Sequence, residues 1–251
     1  MSHPKVALCV IGFQCIDEIP RCLDEVAPHV TYVILGDGRF SNFKWDTDFS
    51  NDGWLEYAAK RYENAITYRF CGDQVDKRQR YLDIAASEGC DYVIVWDTDE
   101  FIDHNTNRPT YPDWPLFYDR LERLSKAFPE EHLFQMWAYL PSVSEWERAH
   151  NIAAENTYQP YIRIIKNPGE IKYSINHYSF VKRDAEPHDW LKSWLIVDGV
   201  RFTMDSKLRN PAFLQARDKW ALDNQSDEQV RMFRYLNDRP ELFKALMNTK
   251  S

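Results

Sequence analysis

No apolar run in this chain of 251 residues approaches the roughly 18 needed to cross a bilayer, and the N-terminus carries no charged stretch followed by a long apolar core. Neither a membrane-spanning helix nor a secretory leader is expected. Basic residues are not in excess: 31 Lys and Arg stand against 39 Asp and Glu, a formal charge of −8. That balance excludes a general nucleic-acid binder, which needs a basic stripe. Cysteine is sparse, with Cys9, Cys15, Cys22, Cys71 and Cys90 forming an odd set without a C-x-x-C pair. Reduced thiols in a soluble, cytoplasmic protein are the expectation. Internal repeats and low-complexity tracts are missing too, which excludes solenoid and linker-rich architectures.

What is present describes a globular protein with a substantial core, 44% hydrophobic and 15% aromatic, with nine Trp. Aromatic surfaces stack well on sugar rings, although most Trp and Tyr serve the core. From 5 to 13 the chain reads KVALCVIGF, a continuous apolar strand. Asp17, Glu18, Ile19 and Pro20 then open a helix that Pro28 ends, and Thr31 to Leu35 form a second strand leading into Gly36-Asp37-Gly38. A helix from Trp54 to Tyr62, a strand from Ala65 to Phe70, and a helix capped by Asp73 and stopped by Gly89 follow. In that last helix Val75, Gln79, Leu82 and Ala86 recur at helical spacing.

The most informative junction comes next. Tyr92-Val93-Ile94-Val95-Trp96 is a buried parallel strand by composition, and it empties into Asp97-Thr98-Asp99-Glu100. Three carboxylates in four residues repel one another unless a cation sits between them. Ligands of open α/β sheets bind beyond the carboxyl ends of the strands. Asp97 and Asp99 are therefore expected to be oxygen ligands for Mg²⁺ or Mn²⁺, a metal that would grip a phosphate-bearing substrate. Beyond this point the alternation of strand and helix loosens. A helix is expected over Trp114 to Phe128, strands over Leu133 to Leu140, Tyr161 to Lys166 and Ile171 to Phe180, and helices in the tail. Any boundary would lie near Val197-Asp198-Gly199.

The first strand and helix, the Asp37-Gly38 turn, the Gln74-x-x-Lys77-Arg78 helix start and Asp97-Thr98-Asp99 together resemble the GT-A glycosyltransferases, similar to the large family 2 group, over roughly Lys5 to Phe180. The resemblance implies an α/β fold with a Rossmann-like mixed central sheet flanked by helices. It also implies a single domain, 1–251, with its core at about 5–180 and a helical C-terminal extension at about 200–251. It further implies transfer of a sugar from a nucleotide-diphosphate-sugar donor to a hydroxyl of a glycan, lipid or protein acceptor. In its terms Asp97 faces the ribose and Asp99 the metal, Asp37 meets the nucleobase or ribose, and Gly12 and Phe13 line the base pocket. Lys77 and Arg78 would neutralise the diphosphate as it leaves. His177 is the implied third metal ligand, with His188 its competitor. Glu145, Glu147 and Asp189 are open choices for a catalytic base.

Two rivals stand beside this reading. A nucleotidyltransferase making activated sugars would need a Gly-rich, basic loop after the first strand. Gly12-Phe13-Gln14-Cys15-Ile16-Asp17 has one Gly and no basic residue. A non-catalytic carbohydrate-binding or assembly protein would carry dispensable carboxylates.

Overall fold

The computed structural model describes residues 4–104, 111–140, 157–174 and 179–204. In chain order these form β1 (Val6–Gly12), α1 (Ile19–Leu23), β2 (Tyr32–Asp37), α2 (Trp54–Arg61), β3 (Ala65–Arg69), α3 (Gln74–Ser87) and β4 (Tyr92–Asp97). There follow β5 (Glu100–Ile102), α4 (Trp114–Ala127), β6 (Leu133–Leu140), β7 (Thr157–Lys166), β8 (Ile171–Tyr173), β9 (Phe180–Lys182) and β10 (Ile196–Met204). Eight strands make one mixed sheet in the order β3-β2-β1-β4-β7-β6-β10-β5, and β8 pairs with β9 as a separate ribbon. The first four strands of that order are mutually parallel; β7 joins β4 antiparallel and opens the mixed half. The α/β class with a GT-A-type, Rossmann-like mixed sheet flanked by helices is what the chain adopts.

The parallel block forms because its inner strands β2, β1 and β4 are apolar on both sides, with β3 as a partly exposed edge. Val6, Leu8 and Val10 of β1 face one core with Trp54, Trp114, Phe117 and Phe202. Ala7, Cys9 and Ile11 face the other, against Tyr81, Leu82 and Ala85 of α3. A period of two thus sends alternate side chains into two separate cores, so the strand has no polar face. The helices are placed by their caps. Asp73 accepts the Val75 amide at 2.8 Å and starts α3, and Asp113 accepts that of Leu116 at 3.0 Å and starts α4.

Four elements differ from the sequence expectation, each for a local reason. The first helix stops at Leu23, not at Pro28. Past Asp24 the backbone bonds tighten to i−3, Val26 N–H to the Leu23 carbonyl and His29 N–H to that of Val26, both at 3.0 Å, and the chain closes into a 3₁₀ turn at Ala27–His29. The expected strand from Ile171 to Phe180 is two short strands that pair with each other, Ile171 opposite Lys182 and Tyr173 opposite Phe180. The inner face of α3 is Lys77, Arg78, Tyr81, Leu82 and Ala85, a stripe rotated from Val75, Gln79 and Ala86. Finally, the stretch around Val197-Asp198-Gly199 lies inside β10, whose register shifts between Ile196 and Arg201. Gly199 has φ +117, and a Cβ there would stand 2.7 Å from the Phe117 amide nitrogen, so only glycine lets β10 pass this close to α4. Residues 200–204 of the expected helical tail belong to this strand, and the rest of the tail lies outside the described residues.

Candidate functional site

Register brings the sequence-predicted residues to one edge. Gly12 lies opposite Asp37, and Ile11 opposite Asp97, so the carboxyl ends of β1, β2 and β4 meet side by side. In open α/β sheets this is the edge that holds ligands. Gly12 is required here by packing: a Cβ would sit 2.6 Å from Cys15 Sγ, 2.9 Å from Trp54 and 3.2 Å from Thr98.

Asp97 is the half-exposed member of a charged cluster. Arg78 of α3 donates to its Oδ1 at 2.7 Å, and the Arg163 guanidinium of β7 stands 3.9 Å from its Oδ2. Arg163 also pairs with Glu100, whose other oxygen accepts the Asp97 amide at 3.0 Å. Glu100 is wholly buried, and burial pushes its carboxyl up to about 8 although Arg163 pulls the other way. For Arg78, burial opposes the charge, but the Asp97 carboxylate together with Tyr81 and Tyr173 outweighs it and holds the guanidinium above its usual range. Buried Arg78 Nε has no hydrogen-bond partner among the described residues.

Beside this cluster opens a cavity of about 260 Å³, lined by Arg78, Asp97, Gln135, Tyr161, Arg163 and Tyr173, with Phe180 at its wall. Gln135 is steadied by donating to the Ser193 carbonyl at 2.9 Å. Sequence reasoning gave Arg163 no role and took Glu100 only as a third acid. The signal for Arg163 was available: a lone cation between Ile162 and Ile164–Ile165 in a strand must find a buried partner. Gln135 gave no signal.

The other expected residues sit close by but are engaged differently. Asp37 is fully buried. It accepts from Ser50 Oγ at 2.6 Å and Trp54 Nε1 at 3.2 Å, and Arg69 lies 3.7 Å away. It thereby fixes the loop after β2 to the start of α2. Phe13 is packed edge-on against Phe43 and Trp45 of that loop, at 6.1 and 6.3 Å between ring centres. Lys77 is buried, with its Nζ donating to the Gly12 carbonyl at 3.2 Å and to the Gly38 carbonyl, beneath the Phe40 ring. Burial pushes its ammonium down to about 7, against the pull of Asp37. Lys77 therefore ties the ends of β1 and β2 together. Asp99 lies in the tight turn between β4 and β5 and is half-buried. His177, Glu145 and Glu147 lie outside the described residues; Asp189 is exposed in the turn after β9, 3.8 Å from His188.

This donor set can be tested against the divalent cation that the resemblance implies. Among the described residues no three His, Cys, Asp or Glu side chains form a group able to hold a metal. Asp97, one of the two expected ligands, already carries one guanidinium in contact and a second within 4 Å. Those charges repel a cation placed on the same carboxylate. The described residues thus form no metal cage from protein groups alone, and the Asp97 carboxylate is shared with guanidiniums.

No protein-family description matches the chain, and no curated protein matches it. Among solved structures it is similar to S. aureus TarS, residues 1–349 in complex with UDP, at 16% identity over 56% of this chain and 37% of that one, with a TM-score of 0.35. It is similar also to the mannose-1-phosphate geranyltransferase of Thermus thermophilus, at 13% identity over 55% and 43%, with a TM-score of 0.34. A third likeness is to GalNAc-T7 with UDP, GalNAc and Mn²⁺, at 11% identity over 81% and 44%, with a TM-score of 0.37. The chain spans less than half the length of each. Scores this low carry no weight beyond likeness of outline, and the strand order and register above carry the fold by themselves.

Proposed function

We propose that the chain is a glycosyltransferase that moves a sugar from a nucleotide-diphosphate-sugar to a hydroxyl of a glycan, lipid or protein. The observation that supports this best is the meeting of Asp97, Arg78 and Arg163 in one cavity at the carboxyl end of β4. In such a transfer the bond between the anomeric carbon and the diphosphate oxygen breaks, and negative charge grows on the departing diphosphate. Fixed guanidiniums in a partly buried site stabilise that charge without reorganising, which lowers the barrier. The acceptor hydroxyl attacks the anomeric carbon and must lose its proton to a base.

The nucleotidyltransferase alternative gains nothing from the loop after β1. Its amides are already taken: Gln14 N–H donates to Ser50 Oγ at 2.9 Å and Ile16 N–H to Asp52 at 2.9 Å, so they do not form an open phosphate cradle. Calorimetry of UDP and GDP with the purified chain, with and without Mn²⁺, tests the reading. Binding of one nucleotide, weakened by Asp97→Ala, is the expected result. No binding of either under any condition would return the chain to the non-catalytic class.

A further inference from the structure

We infer that the cavity beside β4 grips a diphosphate directly through Arg78 and Arg163, so that donor binding does not require a divalent cation. This rests on the nucleotide-sugar reading above and specifies how its anionic end is held.

Three observations converge. First, the charge of the lining is positive. Two guanidiniums and a single carboxylate, Asp97, line the cavity in a protein whose formal charge is −8, while Glu100 stands buried behind Arg163. An anion that avoids most of this surface finds a favourable field here. Second, the guanidiniums are built in. Arg78 and Arg163 are 5% and 8% exposed, anchored on α3 and β7, and each is oriented by an acid: Arg78 by Asp97, Arg163 by buried Glu100. A guanidinium carries five N–H donors in a fixed fork, and that fork matches a phosphate in geometry as well as charge.

Third, the same guanidiniums occupy the ground a metal would need. The task usually given to a divalent ion is to offset diphosphate charge, and two fixed arginines already perform it. Tyr161 and Tyr173 complete the walls with ring surface, which fits a group joined to a sugar.

The test is calorimetry of UDP, GDP and inorganic pyrophosphate against the full chain, in EDTA and in Mn²⁺. The inference expects pyrophosphate and one nucleotide to bind in EDTA, within threefold of their affinity in Mn²⁺. Arg78→Lys should weaken both at least tenfold, about 1.4 kcal/mol, because a point charge cannot reproduce the fork. Arg163→Ala risks unfolding by stranding Glu100, so the second variant is Arg163→Gln with Glu100→Gln, which removes both buried charges together. A tenfold loss in that folded double variant supports the inference. Nucleotide binding only in Mn²⁺ overturns it and leaves the transferase reading standing. Pyrophosphate binding in EDTA without either nucleotide supports the anion site and removes the nucleotide-sugar reading. Unaltered affinity in both variants, or no binding of any ligand, overturns it.

Discussion

The two buried titrating groups of the site push stability in opposite directions with pH, which gives the fold a readable signature. Burial raises Glu100 from 4.5 to about 8 and lowers Lys77 from 10.5 to about 7. For Glu100 the folded chain holds its proton more tightly than the unfolded chain. Its contribution is complete below about pH 4.5 and is lost as pH rises to about 8. For Lys77 the folded chain holds its proton less tightly, so its contribution is complete above about 10.5 and is lost as pH falls to about 7. Each group alone contributes a slope of up to about 1.4 kcal/mol per pH unit inside its window. The slopes cancel between about 7 and 8, where the protein should be least stable. Urea unfolding midpoints measured from pH 5 to 9 on the parent, Glu100→Gln and Lys77→Met read this out as differences between curves. The buried thiol of Cys9, held above its usual range by burial, cancels in those differences. Glu100→Gln should flatten the fall between pH 5 and 7, and Lys77→Met the rise between 8 and 9. Parallel curves for parent and Lys77→Met would refute the account of a cation held against desolvation.

Gly12→Ala should lower stability by about 1–3 kcal/mol, the range for overpacking, since its Cβ would press on Cys15 and Trp54 at 2.6 and 2.9 Å; thermal unfolding by circular dichroism measures the drop. Asp37→Ala should cost about 1–3 kcal/mol for each donor it strands, because Trp54 Nε1 and Ser50 lose a buried acceptor; chemical denaturation checks it. At pH 9, where Glu100 is ionised, Arg163→Ala should cost about 3–5 kcal/mol, whereas Arg163→Met combined with Glu100→Leu should cost much less, a difference that the same denaturation series resolves.

The parallel half of the sheet was legible because its inner strands have apolar side chains on both faces and each of its longer helices carries a start signal in the chain. β5 and β10 were not. β5 is three residues placed directly after an acidic turn, and β10 is interrupted by Asp198, Gly199 and Arg201, which break any alternation. Its place is set by α4 passing over Gly199, a contact between segments some 80 residues apart that local patterning does not encode. In the site, Asp97 was legible from the strand that delivers it. The burial of Lys77 was not, because charged side chains at helical spacing read as a wet face. In the fold that face is turned inward, and its charges are met by carbonyls and a carboxylate. What a sequence conceals most easily is a charge whose partner lies on another strand.

Two adjacent side chains of α3 hold three strand ends: Lys77 joins β1 to β2 through their carbonyls, and Arg78 takes hold of β4. The rim is thereby braced from beneath by a single helical turn, like staves drawn to one hoop. A chimaera that exchanged only the β4 turn for that of a relative would import an acid without its brace. Transplanting the rim therefore means moving α3 with it.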